Sequence, residues 1–199
     1  MSAMKLDTEI RQEQITQAAL GLIASEGLKG LSVAKVAHRV GIVPSAIYRH
    51  FKSKDEVIDG VLDFIHDRLL GNVKAVCEET PEPLERLRLL LMRHVKLIRE
   101  NQAIPRLIFS EDVYGGHPDR KAKVYKIIRD YLNQVGVLID QGQKEGKMRP
   151  GINAETAALM FLGIIQPAAI LWHVSNGGFD ITKHTEKAWQ IFCRIIQAK

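Results

Sequence analysis

The sequence predicts an all-α protein in which a small N-terminal helix-turn-helix precedes a larger helical domain. Three observations lead there. Apolar residues recur at helical spacing through most of the chain, no segment alternates apolar and polar residues as a half-buried strand would, and two short helical segments flank a glycine turn near residue 41.

Ile15, Ala18, Ala19, Leu22 and Ile23 keep the i, i+3, i+4, i+7, i+8 spacing of one buried helix face. That helix should start near Asp7 or Thr8 and stop at Gly27. Ser32 suits the N-cap of a short helix, Val33 to about Val40, with Val33, Val36, Ala37 and Val40 inward. Gly41 supplies the positive φ of a tight turn, and Pro44 fits the first position of the next helix, where its missing N–H is no loss. Ile47 and Phe51 face inward, one turn apart. Ser53, followed by Asp55 and Glu56, reads as the cap of a long helix reaching about Glu79.

Thr80–Pro83 breaks that helix, and another follows from Leu84 to about Asn101. After a short helical piece at Pro105–Phe109, the segment SEDVYGGHPD, Ser110–Asp119, reads as a loop through its Gly-Gly and His-Pro pairs. A long helix then runs from Arg120 to about Glu145. Asn153 caps an apolar helix reaching Asn176, and a last helix spans about Thr182 to Gln197. The expected domains are residues 1–53, a helix-turn-helix DNA-binding domain, and residues 54–199, a larger helical domain whose role as a ligand-binding and dimerisation domain is what the family resemblance described below implies.

Charge supports the first assignment. From Leu28 to Lys54 the chain carries Lys29, Lys35, Arg39, Arg49, Lys52 and Lys54 and no acid. Of the 28 basic residues, six lie here; the remaining 22 against 23 acids leave the rest of the chain at −1, so the net +5 is confined to this window. A local cationic surface on a helix-turn-helix is the pattern of a DNA reader. Cys77 and Cys193 match no metal-ligand spacing and are expected as reduced, buried thiols of a cytoplasmic protein. The polar start MSAMKLDTEIRQEQ has no apolar signal core. The apolar run Ala157–Trp172 falls short of the roughly 20 residues of a membrane span and contains Gln166 and Pro167, so it is expected to be buried in protein, with no membrane partner.

The stretch GLSVAKVAHRVGIVPSAIYRHFKSKDEVI, Gly30–Ile58, closely resembles the DNA-binding signature of the TetR family of transcriptional regulators, including its Tyr48, His50, Phe51 and Lys54 pattern. The resemblance is strong over about Glu9–Val61 and beyond that rests on helix number and length. One departure is Val43, where the family usually has a serine that caps the recognition helix; Pro44 partly compensates by fixing φ. The resemblance implies that Ser32, Tyr48, His50 and Lys54 contact phosphates and that Ser45, Ala46 and Arg49 lie nearest to base edges. Lys35 belongs to the same DNA-binding set. Short hydroxyl, imidazole and ammonium donors fix register on the backbone, and the exposed face of the recognition helix meets the groove. Each also has a plainer reading: Ser32 as a cap only, Tyr48 as core, Lys54 as a solvated charge.

In the penultimate helix Leu159, Met160, Phe161, Leu162, Ile164 and Ile165 point in every direction, which implies burial against its own domain and against something else. TetR-like regulators are homodimers through their last two helices, here Ala154–Asn176 and Thr182–Gln197. The resemblance therefore implies a two-fold dimer on a palindromic double-stranded DNA operator, a repressor released by a small-molecule effector. Candidate effector-lining residues are Met92, Phe109, Tyr125, Tyr131, Gln166, Trp172 and His173, with Tyr114 and His117 at an entry loop; core packing is the alternative for each.

No enzyme, cofactor or metal is expected. A di-iron bundle needs two carboxylate-x-x-His pairs, and the chain offers only Asp63 with His66. The rival from another class is a helical adaptor using the basic segment on an acidic protein or membrane surface; a helix-turn-helix arrangement speaks against it.

Overall fold

A computed structural model describes residues 3–198; the side chains of residues 3–6, Arg106, Phe109, Glu111 and Asp112 lie outside the described set. Among the described residues ten helices follow one another: α1 (Ala3–Gly30), α2 (Val33–Val40), α3 (Pro44–Ile47), α4 (Lys54–Glu79), α5 (Pro83–Glu100), α6 (Ala103–Phe109), α7 (Glu111–Tyr114), α8 (Pro118–Lys144), α9 (Ala154–Val174) and α10 (Ile181–Ile196). Among the described residues no strand forms; a single isolated bridge joins Met148 to Gln197.

Most boundaries follow local chemistry. Ser32 Oγ accepts from the Lys35 N–H at 3.3 Å, Asn153 Oδ1 from Thr156 at 2.8 Å and Asp180 Oδ1 from Lys183 at 3.0 Å, each satisfying an orphan N–H of a first turn. At α4, Ser53 Oγ accepts from Glu56 N–H at 3.1 Å, and the Glu56 carboxylate accepts from Lys52 N–H at 2.7 Å. This reciprocal pair fixes where α4 begins.

Three boundaries differ from expectation. Helix α3 stops at Ile47, short of Phe51, and Tyr48–His50 continue as a turn in which the N–H groups of His50 and Phe51 both reach Ile47 C=O, at 2.8 and 2.9 Å. Helix α1 begins at Ala3, earlier than Asp7, and Gly27 interrupts it with φ 73° before a further turn to Gly30. The Ser110–Asp119 loop contains one helical turn, α7, because Val113 N–H reaches Ser110 C=O at 3.0 Å before the Gly115-Gly116 pair. The cysteines also differ: Cys77 is exposed on the last turn of α4, on the solvent side of that helix, and Cys193 is half-buried, its thiol pKa raised by burial.

The chain divides into two compact units. One comprises residues up to Asp67 together with Asn101–Val124; the other comprises Arg68–Glu100 and Tyr125–Lys199. This division runs through α4 and α8. In the first unit, Ile15, Ala19, Ile23, Val36, Ala37, Ile47, Val61 and Leu107 are buried, and α6 packs on α1. The Phe51 ring lies so close to Gly60 of α4 that a Cβ there would fall 2.6 Å from it; only glycine permits that approach. In the second unit, α9 packs on α5 and α10 around Leu87, Leu90, Leu91, Tyr131, Phe161, Ile165 and Phe192.

Candidate nucleic-acid interface

The recognition segment is held from behind. Gly41, at φ 78° and ψ 33°, takes the left-handed conformation that turns the chain, and Ile42 N–H returns to Ala37 C=O at 3.0 Å. Val43 is 63% exposed and gives no side-chain cap to α3, so the start of that helix rests on Pro44 and on the Ala46 N–H to Val43 C=O bond of 2.9 Å. Ile47 is fully buried and Phe51 nearly so, which anchors α3 and the turn Tyr48–His50 to the core.

That anchoring leaves a defined outer face. Ser45, Tyr48 and Arg49 are exposed, Ala46 and His50 half-buried. Tyr48 is 53% exposed, which rules out the core role for it. The Nδ1 of His50 is buried without a partner, so any phosphate contact from this ring goes through Nε2. On α2, Ser32 spends its hydroxyl oxygen on the cap, leaving its O–H to donate outward. Lys35 is exposed but ion-paired with Glu26 of α1. Lys54 Nζ donates to Leu28 C=O at 3.1 Å, tying the start of α4 to the end of α1. Its ammonium therefore has a structural acceptor in the free protein.

The candidate effector residues are less united. Tyr131 is 1% exposed and its hydroxyl stands 3.1 Å from His94 Nδ1 of α5. Tyr125, two turns earlier on α8, is 62% exposed and accepts from Arg129 at 3.0 Å, so it lines no interior space in this structure. Met92, Gln166, Trp172 and His173 are half-buried in the second unit. Phe109 ends α6 in the first unit, and its side chain lies outside the described residues; Tyr114 is half-buried and His117 exposed.

Residues 15–61 match the family described as bacterial regulatory proteins, tetR family, and residues 80–196 match the tetracyclin repressor-like C-terminal domain. The chain belongs to the TetR family. Members are DNA-binding transcriptional regulators. The chain is 27% identical over 185 residues to the nucleoid occlusion factor SlmA of Vibrio vulnificus (strain YJ016), covering 91% of this chain and 93% of that one. Among solved structures it resembles the fatty acid degradation regulator FadR from Bacillus halodurans, with a TM-score of 0.78, 21% identity and coverage of 92% and 94%. It also resembles FadR from Bacillus subtilis in complex with stearoyl-CoA, with a TM-score of 0.75, 19% identity and coverage of 90% and 96%.

Two polar features of this TetR-family chain escaped the sequence reading. His94 sits on the buried stripe Leu87, Leu90, Leu91, Val95 and Ile98 of α5, and its spacing alone marks it as core. Burial lowers its pKa to about 4, so its imidazole is neutral at pH 7. Arg120, 6% exposed, is held by the Asp55 and Asp59 carboxylates of α4. Burial opposes its charge, and the hydrogen bonds it donates to Asp59 and Asp55 overcome that and raise its pKa.

Proposed function

We propose that this TetR-family regulator is a homodimer through α9 and α10 that reads a palindromic operator and acts as a repressor released by a small-molecule effector. The observation that carries the dimer is a second apolar face on α9. Its first face, Ala158, Phe161, Ile165 and Ala169, is buried within the second unit, yet Leu159, Met160, Ile170, Leu171 and Val174 stand exposed on the other side, Val174 at 73%. Ile191 and Ile195 of α10 are exposed too. Surfaces of this kind on soluble proteins mark interaction sites. By length and composition α9 is the one described helix able to cross a membrane; a packed partner helix accounts for its apolar surface better, since α9 already packs on α5 and α10.

Functionally the division is residues 1–53 for DNA reading and residues 54–199 for effector binding and dimerisation. In the reading head, Tyr48, His50, Ser32 and Lys35 face phosphates, and Ser45, Ala46 and Arg49 face bases. The effector pocket lies among the central helices, with Tyr131, Met92, Gln166, Trp172 and His173 as its candidate residues. Support for a small-molecule effector comes from the stearoyl-CoA complex of Bacillus subtilis FadR. The protein works in the cytoplasm on chromosomal DNA.

Sedimentation with footprinting of a selected operator tests this reading. A dimer in solution and a two-fold symmetric footprint are expected; a monomer protecting one half-site overturns it. Similarity to the nucleoid occlusion factor favours a second reading, in which DNA-bound protein serves nucleoid occlusion rather than a promoter. Genome-wide occupancy separates the two: sites clustered at promoters support regulation, and sites spread over the chromosome without promoter association support the other.

A further inference from the structure

Three acids, Asp55, Asp59 and Asp63, recur at four-residue spacing along α4, immediately after the reading head. They form one stripe on that helix, and the first turns of α8 meet it with two cations. Arg120 Nε donates to Asp59 Oδ1 at 2.9 Å, its Nη2 to Asp55 Oδ1 at 3.0 Å, and its Nη1 to Val113 C=O at 3.1 Å. Lys123 Nζ adds Asp63 Oδ2 at 2.7 Å and Asp59 C=O at 3.0 Å. All of these groups lie within the first compact unit.

The two cations differ in character. The Arg120 side chain is 5% exposed, whereas Lys123 is 28% exposed. Exposed ion pairs are worth little, so an interaction between Lys123 and Asp63 alone would not hold a helix. The guanidinium of Arg120 is different: it is itself buried and both its edges are occupied, so although Asp55 and Asp59 keep 60% and 39% of their side chains exposed, the planar fork fixes the angle between its partners. Arg120 thus grips two successive turns of α4 and the Val113 carbonyl within the α7 turn.

The place of that grip matters. Asp55 is one residue after Lys54, and the capping pair of Ser53 and Glu56 joins the first turn of α4 to the end of the recognition segment. Phe51, which anchors that segment, lies against Gly60, one residue beyond Asp59. The direction in which α4 leaves the reading head and the depth at which Phe51 seats are therefore both set where Arg120 holds.

We propose that Arg120 is a positioning residue for operator recognition: by joining Asp55, Asp59 and the Val113 carbonyl, it fixes the first turns of α4 and through them the orientation of the recognition segment. It touches no DNA. The proposal rests on the DNA-reading function of the family and is independent of the effector and of the dimer contacts.

The test uses full-length protein, the operator duplex selected by the wild type and a random duplex of equal length, with melting temperature recorded alongside. Arg120→Gln is expected to lower operator affinity by about tenfold while random-duplex affinity, set by exposed cations, stays within about twofold. Arg120→Lys, which keeps the charge without the fork, falls between. Asp59→Asn lowers operator affinity in the same direction, and in the Arg120→Gln background it adds no further loss, because its partner is already gone. Operator affinity unchanged in a folded Arg120→Gln protein, equal losses on both duplexes, or fully additive losses in the double variant would each overturn the proposal. Should Arg120→Gln fail to fold, Asp59→Asn and Arg120→Lys decide it: selective loss on the operator supports the role, and no loss refutes it.

Discussion

His94 and Tyr131 meet edge to face inside the second unit, with ring centroids 5.3 Å apart, an interplanar angle of 82° and 3.1 Å between Nδ1 and the hydroxyl. Burial holds the His94 pKa near 4, against an ordinary value of 6.5. Above pH 6.5 both folded and unfolded chains are neutral here, so the group contributes no pH dependence. As pH falls from 6.5 toward 4 the unfolded chain takes up a proton that the folded one refuses, and stability falls with it. The expected loss is about 2 kcal/mol by pH 5, approaching about 3 kcal/mol below pH 4. Urea unfolding at pH 7.5 and pH 5, at fixed protomer concentration, measures it; His94→Gln should flatten that dependence, and an unchanged slope in the variant contradicts the assignment.

Lys54 donates to a backbone carbonyl within the chain, not to an open surface. Lys54→Met is therefore expected to cost about 1 kcal/mol of stability while leaving the salt dependence of DNA binding unchanged. A salt slope reduced by about one unit, with stability intact, would instead return Lys54 to the phosphate contacts.

Lys35 is paired with Glu26 in the free protein, and DNA must compete for its ammonium. Glu26→Gln removes the competitor and a negative charge beside the phosphates. Affinity for operator and random duplexes alike should rise several-fold, with a steeper dependence on salt. Equal affinities of variant and wild type would show that Lys35 stays away from the backbone.

The exposed apolar face of α9 and α10 predicts its own disruption. In a two-fold interface Ile191→Glu places two carboxylates among apolar side chains, so self-association should weaken by more than about a hundredfold. Sedimentation velocity should show monomers with unchanged helix content and weakened operator binding. Leu159→Glu should do the same from α9, and an intact dimer in both variants would place the interface elsewhere.

The reading head was legible in the sequence because its determinants are local. Ser32, Gly41 and Pro44 each act within four residues, and Ile47 and Phe51 declare their burial by spacing; even the missing cap at Val43 was visible. The second unit was harder. Tyr125 and Tyr131 are chemically alike and share α8, yet Tyr131 lies on the buried stripe with Ile127, Val135 and Leu138, whereas Tyr125 lies off it. Periodicity could have separated them, since one residue of offset turns a helix by roughly 100°. The Arg120 grip could not be read, because its carboxylate acceptors lie 61 and 65 residues away and Asp55, Asp59 and Asp63 look like an ordinary solvated face. Cys77, apolar in type, follows the chain's surface for the same reason: solitary residues carry no periodicity of their own.

The most direct test of a dimeric, sequence-specific regulator is selection of bound duplexes from a random pool, with affinity for the selected sequence measured at two salt concentrations. The account predicts a palindromic sequence with half-sites about one helical turn apart or a multiple of it, retained at the higher salt when random DNA is released and lost with Tyr48→Ala. A pool that yields no common sequence, with binding that fades uniformly as salt rises, would contradict it and leave only a cationic surface.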